Sequence, residues 1–234
     1  ETYVEARDLT AFRSPRKAIE LLDFVEERFG SKELPMNMYA RIITRSVFHK
    51  DLEIALLVFT RLLNAKRVLN AHVVPLLLGN TFLMSSKEID DVGDIVANNK
   101  EQIPLDDDAL ASILALIRRR SSWEATQIGD RIYKKRPEAF GEKSFRVMLM
   151  GYAKIDDVDN AIIYMLRANR RRIKFQTIDY NLILLPCKRF GKVRELRAVL
   201  GVMESNNVPM DYYTMTTCLS TLRRRFFIAE RAKV

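Results

Sequence analysis

The feature that most constrains the fold of this chain is a short phrase that recurs along it. The phrases LPMN, IPLD and VPMD begin at Leu34, Ile103 and Val208, and apolar residues occupy the related positions Val68 and Ile173. Successive members of this series are separated by 34, 35, 70 and 35 residues. Because proline ends a helix, the phrase is typical of a loop between structural repeats with a period of about 35 residues.

Each repeat contains two patterns of apolar residues at helical spacing. In the clearest repeat, Phe145, Met148, Leu149 and Tyr152 form one stripe, and a second stripe begins at Val158 after an acidic turn. Steps of three and four residues indicate amphipathic helices with one apolar face. A single helix pair cannot bury such a face, whereas stacked pairs can. The sequence therefore predicts an all-α fold, an α-solenoid of about six stacked antiparallel helix pairs.

The period divides the chain into approximate repeats within one predicted helical-repeat domain that covers residues 1–234. PRKAIELLDFVEERFG, near the start, is predicted to be the second helix of a partial first repeat. The predicted repeats cover residues 1–35 (partial), 36–70, 71–106, 107–141, 142–176, 177–211 and 212–234, the last being a half-repeat with a basic tail.

The charge of the chain favours a polyanionic partner. Lys and Arg number 39 against 30 Asp and Glu, for a net charge of +9, which favours nucleic acid first and an anionic membrane surface second. No stretch approaches 18 consecutive apolar residues, so no membrane span is predicted. Two cysteines, Cys187 and Cys218, are too few for a disulfide framework and are predicted to be buried thiols.

One stretch connects the repeat to a known family. IDYNLILLPCKRFGKVRELRAVLGVMESNNVPMD resembles the pentatricopeptide repeat, in which an aromatic–Asn–x–Leu–Ile opening leads to a Cys-Lys pair, a Gly-Lys turn and a closing Pro-Asp phrase. SFRVMLMGYAKIDDVDNAIIYMLRANRRRIKF follows the same frame. Residues 71–141 fit poorly, and Pro75 and Pro186 are predicted to disturb the first helices of their repeats. The resemblance implies an organellar RNA-binding solenoid whose first helices face the RNA.

Two series of basic residues follow the repeat. Arg119, Lys154, Arg189 and Arg224 are each 35 residues apart, at the ends of successive first helices, and stacking would align them. Lys100, Lys135 and Arg170 form a second series at the ends of second helices. A regular row of cations suits a phosphate backbone. The alternative is that these residues only oppose helix dipoles, which favour cations at C-termini.

The resemblance also implies positions that read bases, the fifth and the last residue of a repeat. In residues 177–211 these are Asn181 and Asp211, a pair that in this family usually goes with uracil, and Thr216 is the fifth residue of the following half-repeat. Other repeats depart from the pattern, with Arg146 and Gln176 in residues 142–176. Because so few repeats carry base-reading residues, contact with structured RNA or with proteins is favoured over sequence readout. The structural alternative for Asn181 is a capping or inter-repeat hydrogen bond.

No catalytic residue, metal site, cofactor or small-molecule substrate is predicted. His49 and His72 lie in different repeats without partners at ligand spacing. The acidic run at 106–108 is interpreted as a helix cap rather than a metal cluster. SSWE at 121–124 is interpreted as a capping box, with Trp123 packed between repeats.

Three functions remain open at this stage. The favoured one is a non-catalytic, structural component of an organellar ribonucleoprotein, the mitochondrial ribosome above all, that contacts rRNA and neighbouring subunits. The alternatives are an mRNA processing, stability or translation factor that binds single strands, and a protein scaffold of the tetratricopeptide type. The expected location is the mitochondrial matrix, or else the plastid, and a chain that opens at Glu1 is compatible with a removed targeting segment.

Overall fold

In the computed structural model, which describes residues 14–29, 36–69 and 73–231, all regular secondary structure is helical. The chain forms two compact bodies, Glu1–Ala109 and Leu110–Val234. No helix among the described residues is both long enough and apolar enough to cross a membrane.

The N-terminal body contains the more irregular part of the chain. Its helices are α1 (Pro15–Phe29), α2 (Met36–Phe48), α3 (Leu52–Asn64), α4 (Val73–Leu77) and α5 (Ser86–Asn98). Helix α4 is only five residues long and gives way to a 3-10 segment, Leu78–Leu83. Pro75 lies in α4, so the predicted disturbance by this proline is confirmed.

The C-terminal body consists of regular helix pairs. Its helices are α6 (Asp107–Arg120, which begins at the junction of the two bodies), α7 (Ser122–Lys135), α8 (Glu142–Lys154), α9 (Val158–Arg170), α10 (Thr177–Phe190), α11 (Val193–Ser205) and α12 (Tyr212–Arg231). Helix α8 packs against α9 and α10, and α10 packs against α11 and α12. First helices therefore stack on first helices, and α9 stacks on α11 in the same way.

The predicted apolar stripes form the core of this body. Phe145, Met148, Leu149 and Tyr152 of α8 are all at most 1% exposed. Their counterparts in α10, Tyr180, Ile183, Leu184 and Cys187, are equally buried. Pro186 leaves α10 continuous from Thr177 to Phe190, so the predicted disturbance of this helix was wrong.

The helix ends repeat as regularly as the core. Ser144, Asp179 and Thr214, each 35 residues from the next, are the third residues of α8, α10 and α12. Each side chain accepts a hydrogen bond from the backbone N–H three residues before it, at 3.1, 2.9 and 3.3 Å respectively. This half of a capping box fixes the residue at which α8, α10 and α12 each begin.

The turns within and after the pairs α8–α9 and α10–α11 each contain a left-handed residue. Asp156 and Gly191, 35 residues apart, have φ of 60° and 62°, and Arg172 and Asn207, also 35 apart, have φ of 59° and 53°. At Gly191 an added Cβ would lie 3.1 Å from the backbone nitrogen of Arg225. Glycine at this position therefore allows the end of α10 to approach the backbone of α12 closely.

A polar cluster joins α7, α8 and α9. The carboxylate of Asp130 accepts hydrogen bonds from the hydroxyls of Tyr152 at 2.5 Å and Tyr164 at 2.7 Å. Burial raises the pKa of both tyrosines well above the ordinary value, so both remain hydrogen-bond donors. The guanidinium of Arg167 lies 4.6 Å from the ring centroid of Tyr133 and 4.9 Å from that of Tyr164.

Three smaller predictions have mixed outcomes. The Asp106 carboxylate accepts from the backbone N–H of Ala109 at 2.7 Å, which confirms the helix cap. Ser121 accepts from the N–H of Glu124 at 3.2 Å, but Trp123 is 61% exposed, so its predicted packing between repeats was wrong. Cys187 is buried, whereas Cys218 is partly exposed and so departs from the prediction; its helix, α12, turns only part of its surface to the rest of the body.

Candidate nucleic-acid interface

The basic residues of the first series lie at corresponding places on first helices. Arg119 and Lys154 lie in the last turns of α6 and α8, Arg189 lies in the last turn of α10, and Arg224 lies within the longer α12. All four side chains are exposed. Because α10 contacts both α8 and α12, this arrangement puts Lys154, Arg189 and Arg224 on three helices stacked in order.

Two members of the series meet in one groove between α10 and α12. The groove has a volume of about 710 Å³ and contains four cationic residues, Lys188, Arg189, Arg223 and Arg224. Leu185, Phe227 and Ile228 supply its apolar surface. Four positive charges beside an exposed aromatic ring suit a ligand that carries phosphates and planar bases.

Arg189 has a partner within the protein. Its guanidinium donates to the Asp156 carboxylate at 2.9 Å, with Arg189 58% and Asp156 31% exposed. The two residues belong to successive repeats, so this pair also links them. An ion pair with this exposure contributes little to stability, and the guanidinium keeps donors for a second acceptor. Among the described residues, Arg119, Lys154 and Arg224 form no ion pair.

The second series lies on second helices. Lys135 and Arg170 are the last residues of α7 and α9, and both are exposed. Lys100 is exposed in the turn after α5, in the N-terminal body. The structure brings no member of this series into the groove.

The predicted base-reading pair comes together in the structure. The Asn181 amide nitrogen donates to the Asp211 carboxylate at 3.2 Å, and the Asn181 carbonyl oxygen accepts from the Thr214 hydroxyl at 2.7 Å. Asn181 is only 7% exposed. The backbone N–H of Thr214 donates to Asp211 at 2.7 Å and holds the pKa of this carboxyl below its usual range. Thr216 lies apart from this cluster and donates to the Tyr213 carbonyl oxygen.

The preceding repeat contains the same inter-repeat link with different chemistry. Its fifth residue, Arg146, forms an ion pair at 3.0 Å with Asp179, whose side chain is 4% exposed. Arg146 and Asp179 are 33 residues apart, as are Asn181 and Thr214. The fifth residue of one repeat therefore binds the third residue of the next. The inter-repeat hydrogen bond given as the structural alternative for Asn181 is thus present. Sequence reasoning missed its partner, Thr214, and the pair of Arg146 with Asp179, although the 35-residue spacing of Asp179 and Thr214 was a usable signal.

The side chains at both fifth positions are therefore already bound to residues of the next repeat. A base that approached Asn181 would have to share or replace its bonds to Asp211 and Thr214, and Arg146 is held by a buried carboxylate.

Within the described residues, no group of three or more His, Cys, Asp or Glu side chains is arranged to hold a metal ion. His72 lies outside the described residues.

Comparison with solved structures identifies the fold. The chain is similar to the crystal structure of the pentatricopeptide repeat protein PPR10 in complex with an 18-nt psaJ RNA element, with a TM-score of 0.57, 13% identity and coverage of 94% of this chain and 35% of PPR10. A cysteine-to-serine variant of PPR10 with the same RNA element gives the same values. A structure of PPR10 from maize is matched with a TM-score of 0.39, too low to support an argument. The chain thus has the fold of a pentatricopeptide repeat protein, and it spans about a third of the PPR10 chain.

Sequence comparison gives no further assignment. No family model matches the chain, and no curated protein matches it. The stacked helix pairs, the recurrent caps and turns, and the similarity to PPR10 together confirm the predicted all-α, pentatricopeptide-type repeat fold.

Proposed function

We propose that this chain is an RNA-binding pentatricopeptide repeat protein that acts without catalysis as a structural component of an organellar ribonucleoprotein. The favoured particle is the ribosome of the mitochondrial matrix, with the plastid as the alternative location. In this proposal the series Arg119, Lys154, Arg189 and Arg224 binds phosphates of rRNA, and Lys135 and Arg170 add further contacts. Other surfaces of the chain contact neighbouring protein subunits.

The groove between α10 and α12 supports this proposal most directly. It collects Arg189 and Arg224 with Lys188 and Arg223 around one space. The similarity to PPR10, whose solved complex contains RNA, agrees with an RNA ligand for the same fold. The engagement of Asn181 and Arg146 in links between repeats favours a contact made through phosphates rather than through base edges.

Salt dependence of binding tests the phosphate contacts. For single-stranded RNA, log K falls with log salt concentration with a slope of about −0.7 per neutralised phosphate, so the four residues of the series are expected to contribute about −3 to the slope. Fluorescence anisotropy with labelled single-stranded and hairpin RNAs, between about 50 and about 200 mM salt, measures this slope. The variant Arg119→Gln/Lys154→Gln/Arg189→Gln/Arg224→Gln is expected to bind more weakly, with a salt slope shallower by about 3 than that of the unaltered protein.

A matched variant separates the series from net charge. The control variant changes four exposed cations outside the groove to Gln, and so removes the same total charge. These residues are Arg16 and Lys17 on α1 and Arg194 and Arg197 on α11. This control is expected to keep most of the affinity and slope of the unaltered protein. Equal loss in both variants, or salt-independent binding by the unaltered chain, would contradict the proposal.

The ribosomal assignment needs its own test. The native protein is expected to co-sediment with a ribosomal particle in organellar extracts, and RNase treatment is expected to release it. Sedimentation of the protein away from ribosomal particles would refute this part of the proposal and leave RNA binding to be judged by the salt titration.

One observation favours the mRNA factor as a second candidate. Asn181 and Asp211 lie together where the resemblance implies a reader for uracil. If the chain reads this base, it prefers uracil-containing oligonucleotides over matched oligonucleotides without uracil, and Asn181→Ala removes the preference. Equal affinity for both oligonucleotides excludes this candidate.

A further inference from the structure

Trp123 presents its indole ring to solvent from a well-packed helix. It is the only tryptophan of the sequence, lies in the first turn of α7 and is 61% exposed. Ser122, directly before it, is 7% exposed, and Thr126, three residues after it, is 0% exposed. Because these neighbours occupy the packed side of α7, the ring of Trp123 points away from the core.

The backbone under this ring is fixed by three local contacts. Ser121 accepts from the backbone N–H of Glu124 at 3.2 Å, and the hydroxyl of Thr126 donates to the carbonyl oxygen of Trp123 at 2.8 Å. The guanidinium of Arg120 lies 3.9 Å from the Glu124 carboxylate and ties the end of α6 to the first turn of α7. A ring on a backbone that is already ordered binds a ligand at a smaller entropy cost.

Trp123 lies close to two cations of the first series. Arg119 is four residues before it, across the single residue that joins α6 to α7, so their Cα atoms are at most about 15 Å apart. The start of α7 also lies against the end of α8, because a Cβ added to Gly151 would be 3.7 Å from the carbonyl oxygen of Ser122. Lys154 follows Gly151 by three residues and therefore lies on the same side of α8.

The charge around the ring suits a polyanion. Residues 111–123 contain three arginines and no acidic residue. Arg119 and Lys154 are exposed and form no ion pair among the described residues. Exposed aromatic rings beside such cations bind single-stranded nucleic acid, because bases stack on the rings while the cations bind the phosphates.

We propose that Trp123 is a base-stacking residue, on which an unpaired base of the RNA stacks while Arg119 and Lys154 bind phosphates of the same strand. This inference rests on the proposed RNA binding and deepens it, because it assigns the ligand at this edge to a single strand or a loop. A paired helix offers no free base face to the ring. Stacking accepts every base, so it adds affinity without sequence readout.

The tryptophan itself reports on this contact in the full chain. Its fluorescence emission is expected to fall when a single-stranded RNA of mixed sequence binds, because a stacked base quenches the indole. Acrylamide is expected to quench the emission of the bound protein less than that of the free protein. A blunt-ended RNA duplex of the same sequence, at concentrations where anisotropy shows it bound, is expected to change neither quantity.

Substitutions at this position separate stacking from charge. Trp123→Ala is expected to weaken binding of single-stranded RNA about fivefold or more, the loss of one stacked base, and to leave the salt slope unchanged because no charge is removed. Trp123→Phe keeps an aromatic face and is expected to retain most of the affinity. Arg119→Gln, in contrast, is expected to make the slope shallower by about 0.7.

Phe82→Ala is the matched control for the loss of an exposed ring. Phe82 lies in the N-terminal body, is 71% exposed, and has no lysine or arginine within four residues on either side. Its removal is expected to leave RNA affinity unchanged. Circular dichroism checks that all variants keep the helical content and melting temperature of the unaltered protein.

The inference fails if bound single-stranded RNA leaves the tryptophan emission unchanged, or if the duplex quenches it equally. Full affinity of Trp123→Ala, or an equal loss of affinity in Trp123→Phe, would also overturn it. Salt-dependent RNA binding alongside any of these results leaves the proposed function intact and excludes only the stacking. If the unaltered chain binds no RNA, the proposed function fails and this inference fails with it.

Discussion

Asp156→Asn is expected to strengthen RNA binding, because Asp156 competes with phosphate for the Arg189 guanidinium. The pair measures 2.9 Å, with Arg189 exposed and Asp156 partly exposed, so its strength is at most about 1 kcal/mol. Release of Arg189 therefore raises affinity by up to about fivefold at low salt. The backbone of Asp156 has a φ of 60°, which asparagine adopts readily, so the turn is preserved.

Anisotropy titrations with a single-stranded RNA at low salt measure this gain. Asp159→Asn is the matched control, because Asp159 is exposed at the start of the neighbouring helix α9 and forms no ion pair with any described residue. It removes the same charge without releasing Arg189, and its effect is expected to be smaller.

The double variant Asp156→Asn/Arg189→Gln tests whether the gain passes through Arg189. It is expected to bind RNA as Arg189→Gln does, with a salt slope shallower by about 0.7 than that of the unaltered protein. If Asp156→Asn binds RNA no better than Asp159→Asn, or more weakly than the unaltered protein, Arg189 serves only as a link between repeats and its role in phosphate binding is refuted.

Three further predictions concern stability and reactivity. Gly191→Ala is expected to lower the free energy of unfolding by about 1–2 kcal/mol in urea titrations, because it places a Cβ at positive φ and 3.1 Å from the Arg225 nitrogen; unchanged stability would contradict this. Asp130→Asn is expected to cost about 2 kcal/mol in the same assay, since an amide nitrogen cannot accept from a tyrosine hydroxyl; an unchanged midpoint would show that the cluster is dispensable. Burial raises the pKa of Cys187 to about 12, so iodoacetamide at neutral pH is expected to label only the partly exposed Cys218 until the chain unfolds; labelling of Cys187 at the rate of Cys218 would disprove its burial.

The similarity to PPR10 is one of fold, and the two chains share only 13% of their residues. The features that could bind RNA must therefore be judged from the residues of this chain. The groove between α10 and α12 offers four cations to a phosphate backbone. The pair of Asn181 and Asp211 is less suited to bind a base, because Asn181 is already hydrogen-bonded to Asp211 and Thr214.

The sequence alone predicted the repeat, the class of fold and the core. Helical spacing is a local property, so Phe145, Leu149 and Tyr152 could be assigned to a buried face from their spacing alone. The caps at Asp106 and Ser121 could also be predicted from the sequence, because a capping side chain bonds to its own helix within three residues.

The tertiary structure alone decided which partner each surface side chain has. The bonds from Arg146 to Asp179, from Asn181 to Thr214 and from Arg189 to Asp156 each join residues 33 positions apart. Helical periodicity carries no information about such pairs, because they depend on how two helices from different repeats pack together. For the same reason, only the stacked helices show that the side of α12 that carries Thr214, Thr217 and Thr221 is the side that is buried.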